Sequence, residues 1–284
     1  MTVNSDTIGI RKHVHAMWAA VAPAWGTYAE LTDARGRELA ERLLEVTMPR
    51  PGERVLELAC GAGGAGLAAA ALVGAAGEVV VSDIAEAMSA IAARRAREAG
   101  LDNVRARVLD LEEIEEPDDS FDVALCREGL MFAVEPGQAL AEIHRVLRPG
   151  GRLAASVWGP RDRNPWLALV MDAVSAEIGS PLPPPGMPGP FALADADQLT
   201  RLVVDAGFVG VELVEVDVPL RESFEDWWTR RAALAGPVSA RLAAMPDDAK
   251  QRLHDRLREA VRPYERGETL EFPGVALVVS GRRP

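Results

Sequence analysis

Three acidic side chains recur at nearly equal intervals in the first half of the chain. Glu57, Asp83 and Asp110 are separated by 26 and 27 residues, and each closes a short aliphatic run. Carboxylates accept hydrogen bonds from hydroxyl and amino groups and attract cations, so together they favour a polar or positively charged ligand. The first acid precedes the run GAGGAG at residues 61–66, whose glycines let a ligand approach the main chain. The sequence therefore predicts a small-molecule site at these acids.

An alternating pattern of strands and helices predicts that the acids share one edge of a sheet. Strand-like runs lie at 54–58, 78–83, 104–108, 121–126 and 152–158, with helical patterns between most of them. Such alternation forms crossover units and a parallel sheet, which binds ligands at the carboxyl ends of its strands. Beyond residue 158 the pattern shows a proline-dense connection, a helix, and two further strands. These later segments lie at 181–190, 195–206, 211–218 and 274–280.

By itself, the glycine run does not identify the ligand, because it suits nicotinamide, flavin and S-adenosylmethionine sites. It is also compatible with a packing role and no ligand. Glu57 distinguishes between the ligands. A dinucleotide places its pyrophosphate at the start of the following helix, where a carboxylate would repel it. S-adenosylmethionine carries an ammonium and a sulfonium group, which a carboxylate attracts. Glu57 therefore favours S-adenosylmethionine.

Five ordered motifs carry a family resemblance. They are VLELACGAG at 55–63, VSDI at 81–84 followed by Met88, DL at 110–111, FDV at 121–123 and LRPGGRL at 147–153. Over residues 54–158 the chain resembles the class I S-adenosylmethionine-dependent methyltransferases, and most closely the branch that includes the ubiquinone and menaquinone biosynthesis enzymes. The resemblance implies an α/β fold with a Rossmann-like seven-stranded, mostly parallel sheet, helices on both faces and an antiparallel C-terminal strand. It also implies S-adenosylmethionine as cofactor and S-adenosylhomocysteine as product.

The resemblance assigns roles to individual residues. It places Asp83 on the two ribose hydroxyls and Asp110 beside the adenine, while Ile84 and Met88 could enclose the flat purine. Each assignment has a structural alternative: Asp83 as a helix N-cap, Asp110 as a turn cap, and Met88 as a core residue. The expected cofactor-binding residues are Trp25, Glu57, Ala59, Cys60, Gly61, Gly63, Asp83, Ile84, Met88, Asp110, Leu111 and Arg127.

The acceptor side is expected after the fourth strand. This stretch lacks the Asn/Asp-Pro-Pro-aromatic string that the resemblance associates with methylation of amide or nucleobase nitrogens. Arg127 and Glu128 could contact cofactor or acceptor, or could be ordinary surface charges. Tryptophans suit a sulfonium or a flat acceptor, although Trp227 and Trp228 could also simply pack the C-terminal helices onto the sheet. The expected acceptor-binding residues are Trp18, Met131, Phe132, Trp158 and Trp228.

Methyl transfer from a sulfonium is an in-line displacement that depends on positioning, and a base is needed only if the acceptor arrives protonated. His15 is the candidate base, with an ordinary helix residue as the alternative. Cys60 and Cys126 are expected to be buried thiols. The sequence shows no metal-ligand spacing, so no metal is expected.

One domain is expected, in three parts. Residues 1–47 would form an N-terminal helical lid, 48–218 and 270–284 the Rossmann-like core, and 219–269 a helical cap insertion. The helical pattern of this lid is expected to break near residues 22–26, where Pro23 interrupts it.

The net charge and the hydropathy of the sequence limit the classes of binding partner that we expect. The formal net charge of −12 argues against a non-specific nucleic-acid surface. The N-terminus shows no secretory signal, and the longest apolar stretch, 66–76, is too short to span a bilayer. A cytoplasmic location and a small-molecule acceptor are therefore expected. The oligomeric state is left open, with a homodimer as one option.

The function predicted is transfer of a methyl group from S-adenosylmethionine to a small apolar or aromatic metabolite. One alternative is a module that binds S-adenosylmethionine without catalysis. Another is an NAD(P)-dependent oxidoreductase, which would have to tolerate Glu57 beside a pyrophosphate.

Overall fold

A computed structural model describes residues 5–284, with side chains described from residue 7. Its helices are α1 (Ser5–Thr27), α2 (Ala29–Arg35), α3 (Arg37–Thr47), α4 (Gly64–Val73), α5 (Glu86–Glu98), α6 (Pro136–Val146), α7 (Pro165–Ile178), α8 (Ala196–Asp205), α9 (Phe224–Leu234), α10 (Gly236–Ala243) and α11 (Asp247–Ala260). Its strands are β1 (Arg54–Glu57), β2 (Glu78–Asp83), β3 (Val104–Val108), β4 (Phe121–Arg127), β5 (Leu147–Trp158), β6 (Val209–Asp217), β7 (Leu220–Glu222), β8 (Glu265–Arg266), β9 (Thr269–Phe272) and β10 (Val275–Arg282).

The main sheet has seven strands in the order β3-β2-β1-β4-β5-β10-β6. The first five pair in parallel, whereas β10 runs antiparallel to both β5 and β6. The predicted α/β class and the seven-stranded, mostly parallel sheet with helices on both faces are confirmed. The strands at the centre are hydrophobic on both faces, as helix-covered parallel strands require.

The order of the strands creates a crevice at the centre of the sheet. The chain passes from β1 outward to β3, then returns to place β4 on the other side of β1. Helices on either side of this reversal diverge, so ligands of open α/β sheets bind there, at the carboxyl ends of the strands. Glu57 ends β1 and Arg127 ends β4, so both lie at this reversal.

The N-terminal segment differs from the prediction in two respects. The break expected at 22–26 is wrong, because α1 continues through Pro23 to Thr27. Packing holds this turn of α1: Val21 and Ala22 are buried in a small cluster that includes Met88. The third helix, α3, which the prediction includes in the lid, contacts β4, β5 and β10 of the main sheet. Residues 1–4 of that segment lie outside the described residues.

The segment 219–269 contains the expected helices, α9 to α11, and also strands. A three-stranded antiparallel sheet, in the order β7-β9-β8, flanks these helices. Its strands have only two to four residues, too few for a visible alternation. Within residues 5–284, no helix is long and apolar enough to cross a membrane.

Candidate functional site

A cavity opens at the crevice between β1, β2 and β4, and we call it the glycine-loop cavity. All but two of the twelve expected cofactor-binding residues line it; the two exceptions are Glu57 and Gly63. Arg11, Val14 and Glu112 also contribute to the walls, and none of them was predicted from the sequence. The lining residues are Arg11, Val14, Trp18, Trp25, Ala59, Cys60, Gly61, Asp83, Ile84, Met88, Leu109, Asp110, Leu111, Glu112, Arg127, Glu128, Gly129, Phe132, Ala133 and Val134.

The loop between β1 and α4 takes a backbone conformation that favours glycine. Gly61 and Gly63 have φ values of 53° and 92°. A Cβ on Gly61 would lie 3.4 Å from the Trp25 ring, an ordinary contact, so glycine is favoured here by its positive φ and not by lack of space. A Cβ on Gly63 would lie 3.0 Å from that of Ala92, so Gly63 serves the packing of the loop on α5. Gly61 therefore shapes the cavity, and Gly63 supports the loop behind it.

Glu57 lies behind the loop and does not face the cavity. Its two carboxylate oxygens accept the N–H groups of Ala65 and Gly66, at 3.2 and 2.8 Å, in the first turn of α4. The residue is 1% exposed, and burial raises its pKa to about 7, against the lowering effects of Arg127 and the two amides. The expectation of a direct ligand contact is therefore corrected. Glu57 thereby supplies hydrogen-bond acceptors to the first turn of α4, whose N–H groups have no partner within the helix.

Asp83 is buried at the end of β2 and organises two loops. Its Oδ2 accepts the N–H of Gly61 and its Oδ1 that of Ala85, both at 2.9 Å. Burial raises the pKa of Asp83, and these two amides oppose that rise. The N-cap position of α5 belongs to Ala85, so Asp83 is not itself the cap. Each carboxylate oxygen can accept a further hydrogen bond, which suits a vicinal diol in the cavity.

The opposite end of the glycine-loop cavity is closed by an ion-pair cluster that includes α1. Asp110 caps its own turn, its Oδ1 accepting the N–H of Glu112 at 2.8 Å. The buried Glu112 accepts the N–H groups of Val134 and Glu135 and a bond from Arg11 Nη2 at 2.7 Å. Arg11 thereby ties α1 to the loop after β3.

A second cavity lies beside the first, and we call it the tryptophan cavity. Of the expected acceptor-binding residues, all but Trp228 line it. Trp228 lies instead beside His254, with ring centroids 6.2 Å apart. The lining residues are Trp18, Trp25, Thr32, Arg35, Gly36, Arg127, Glu128, Met131, Phe132, Trp158, Trp166, Leu167, Pro190, Val218, Arg231, Leu234, Ala235, Gly236 and Pro237.

The two cavities share a wall that comes mainly from α1 and from the segment after β4. The Trp18 ring lies edge-on to Phe132 at a centroid distance of 4.8 Å. The indole N–H of Trp25 donates to the carbonyl of Leu234 at 3.1 Å, which joins α1 to the end of α9. The residues common to both cavities are Trp18, Trp25, Arg127, Glu128 and Phe132.

Glu128 is the acidic side chain in this shared wall. Its φ of 58° is unusual for a residue other than glycine, and such strain is frequent at functional sites. Its Oε1 is buried and has no hydrogen-bond partner within residues 5–284. Burial raises its pKa, while Arg127, Arg35 and Arg231 oppose the rise. In the sequence, Glu128 is equally compatible with a site residue and with an ordinary surface charge.

The expected base, His15, is exposed and lines neither cavity. Its neighbours on the same side of α1, Arg11 and Trp18, do line cavities, and His15 lies near enough to Asp83 to help lower the pKa of that carboxyl. Glu128, by contrast, lines both cavities.

The two cysteines are buried and free, as expected. Burial raises the pKa of both thiols, that of Cys126 to about 12. Both therefore remain protonated and unreactive near neutral pH. In the part of the chain that the structure describes, no group of three or more His, Cys, Asp or Glu residues could hold a metal ion.

Comparison with known proteins gives consistent matches. A family model described as a methyltransferase domain matches residues 49–178. The ubiquinone/menaquinone biosynthesis C-methyltransferase UbiE of Ectopseudomonas mendocina is 34% identical over 182 residues, which cover 58% of this chain and 68% of the relative. Nocamycin O-methyltransferase of Saccharothrix syringae is 32% identical over 255 residues, covering 76% of this chain and 88% of the relative.

Solved structures share the fold. The YcgJ protein from Bacillus subtilis superposes with a TM-score of 0.60 at 20% identity, covering 87% of this chain and 98% of its own. Together with the ordered motifs and the glycine-loop cavity, these matches show that the chain belongs to the class I S-adenosylmethionine-dependent methyltransferases, in the branch of the ubiquinone/menaquinone biosynthesis enzymes.

Proposed function

We propose that this enzyme transfers the methyl group of S-adenosylmethionine to a small, largely apolar or aromatic acceptor held in the tryptophan cavity. The observation that carries the proposal is the shared wall: an occupant of the tryptophan cavity lies next to the ligand of the glycine-loop cavity. The cofactor, when bound, supplies an activated methyl group on a sulfonium. The protein then has to position the acceptor in line and exclude water.

The residues of the glycine-loop cavity fit each part of this cofactor. Asp83 would accept the ribose hydroxyls, and Asp110 would accept the adenine amino group through Oδ2, since its Oδ1 already caps the turn. Ile84 and Met88 provide apolar contact for the purine. This leaves the loop 59–61 and Arg127 for the amino-acid end of the cofactor, whose carboxylate the Arg127 guanidinium can bind.

The side chains around the tryptophan cavity suit a flat acceptor. Trp18 and Trp158 offer aromatic rings for stacking. We propose that α1 and α2 serve as the lid, and that α9 to α11 serve as the cap, since α1 contacts α9 and α10. Glu128 would accept the proton of an acceptor that arrives protonated.

Calorimetry with S-adenosylmethionine, S-adenosylhomocysteine and NAD tests the cofactor assignment. We expect the first two to bind and NAD to fail, because the Glu57 carboxylate occupies the helix start that a pyrophosphate requires. Formation of S-adenosylhomocysteine with a panel of phenols, quinols and aromatic acids then tests catalysis. Cofactor binding with no turnover across the panel would favour the non-catalytic module. The matched relatives include a C- and an O-methyltransferase by name, so product analysis decides the acceptor atom.

Substitution of Asp83 by Asn is expected to weaken S-adenosylhomocysteine binding about tenfold or more, since one acceptor oxygen becomes an NH₂ group facing a backbone N–H or the diol. Calorimetry measures the affinity. Asp102→Asn, on the exposed loop before β3, is the matched control and should bind as the wild type does. Equal affinities of the two variants would remove Asp83 from the cofactor site.

A further inference from the structure

Two arginines from distant parts of the chain meet on one tryptophan ring in the tryptophan cavity. Arg35 ends α2 and Arg231 lies in α9. The guanidinium carbon of Arg35 lies 3.7 Å from the centroid of the Trp166 ring, and that of Arg231 lies 5.0 Å from it. Both side chains line the tryptophan cavity, and neither lines the glycine-loop cavity.

The edges of these guanidinium groups lack partners. Nε and Nη2 of Arg35 and Nε of Arg231 are buried and make no hydrogen bond within residues 5–284. The Trp166 ring attracts both cations but supplies no oxygen acceptor for these N–H groups. Burial lowers the pKa of both guanidinium groups, that of Arg231 to about 9. A buried N–H of a charged group without an acceptor is unfavourable, so the protein carries a binding capacity that its own side chains do not use.

The charged residues that line the tryptophan cavity are mainly positive, with Arg35, Arg127 and Arg231 against the single carboxylate of Glu128. The nearby acids Asp33 and Glu222 already pair with Arg95 and Arg230. A ligand that carries negative charge would therefore offset the positive charge of the cavity.

We propose that the acceptor carries a carboxylate, which Arg35 and Arg231 bind at the end of the tryptophan cavity away from the cofactor. The acceptor's reacting end then lies at the shared wall beside Glu128. Arginine edges present paired N–H donors that match the two oxygens of a carboxylate. This inference rests on the proposed function, because it assigns the substrate class of the same site.

Paired aromatic acids and amides test the proposal on protein saturated with S-adenosylhomocysteine. The probes are benzoate, 2-naphthoate and 4-phenylbutyrate, each with its primary amide, and binding is measured by calorimetry. We expect at least one acid to bind about tenfold or more tighter than its amide, as a charge-assisted bond requires. If no acid binds tighter than its amide, the proposal is overturned. Loss of S-adenosylhomocysteine binding would instead contradict the proposed function, so the two failures are distinguishable.

Substitution of the two arginines tests whether they cause the preference for an acid over its amide. Arg231→Met should reduce the acid-to-amide preference to within about twofold while S-adenosylhomocysteine affinity is retained. Arg258→Met is the matched control, because Arg258 also stacks on an aromatic ring, Phe224 at 4.5 Å, but lines neither cavity. Arg35→Met, on another helix, repeats the test if Arg231→Met does not fold. An undiminished preference in the folded variant would exclude the arginine from carboxylate binding.

Discussion

Glu128→Gln is expected to slow methyl transfer by about 10²- to 10⁴-fold, the usual effect of removing a positioned proton acceptor. Glutamine retains the size of the side chain but does not accept a proton. Glu128 lines both cavities and has a buried, unpartnered Oε1, so no other contact should compensate for the loss. The rate of S-adenosylhomocysteine formation is the measurement, and cofactor affinity should stay near the wild-type value.

The pH dependence of the rate separates this role from a structural one. The ionised carboxylate accepts the proton, so the rate should rise with pH through the pKa of Glu128. Burial raises that pKa, so the acidic limb should lie above the range of an ordinary glutamate and should be absent in Glu128→Gln. Glu135→Gln, at the exposed start of α6, should keep both the rate and the limb. A Glu128→Gln enzyme with wild-type turnover would exclude Glu128 as the base.

Glu57→Ala is expected to lower the free energy of unfolding by about 2–4 kcal/mol at about pH 5, because it leaves the buried N–H groups of Ala65 and Gly66 without an acceptor. The glycine loop, which directly precedes these two residues, should also bind S-adenosylmethionine less tightly. Urea unfolding and calorimetry measure the two effects. Glu78→Ala removes a half-exposed carboxylate from the opposite end of the sheet and should cost less than about 1 kcal/mol.

The loss in Glu57→Ala should shrink as the pH rises. In the unfolded chain this carboxyl ionises near its ordinary pKa of 4.5, whereas in the folded protein burial raises the pKa to about 7. Between these values the unfolded state releases the proton first, so the stability contributed by Glu57 falls by about 1.4 kcal/mol per pH unit. The contribution is complete below pH 4.5 and levels off above 7. A loss that grows from about pH 5 to 8 would contradict this assignment.

The local patterns predicted the centre of the fold well, for identifiable physical reasons. The runs that became β1, β2 and β4 are short and mainly apolar at their centres, and β1 and β2 end at an acid, which are local signals. By contrast, α7 has no visible period because it is buried around most of its circumference. The course of α1 through Pro23 depends on packing against α5, which a local pattern does not contain.

Some residues of the site could likewise be placed from the sequence, whereas others depend on the tertiary fold. Asp83, Ile84 and Asp110 could be placed from sequence because strand ends meet at one edge of a parallel sheet. The orientation of the Glu57 side chain could not, because the same carboxylate can face a ligand or turn back to the α4 start. Arg35 and Arg231 are 196 residues apart, and only the tertiary fold brings both onto Trp166 of α7.

Helix α1 supplies Trp18 and Trp25 to the walls of both cavities, and Arg11 fastens its N-terminal part to Glu112. If α1 serves as the proposed lid, a ligand that holds it in this position from one cavity completes the wall of the other before a second ligand arrives. Cofactor and acceptor would then strengthen each other's binding by the same factor, because such coupling is reciprocal by thermodynamic necessity. The same helix would couple the departure of the two products, so that release of either one favours release of the other.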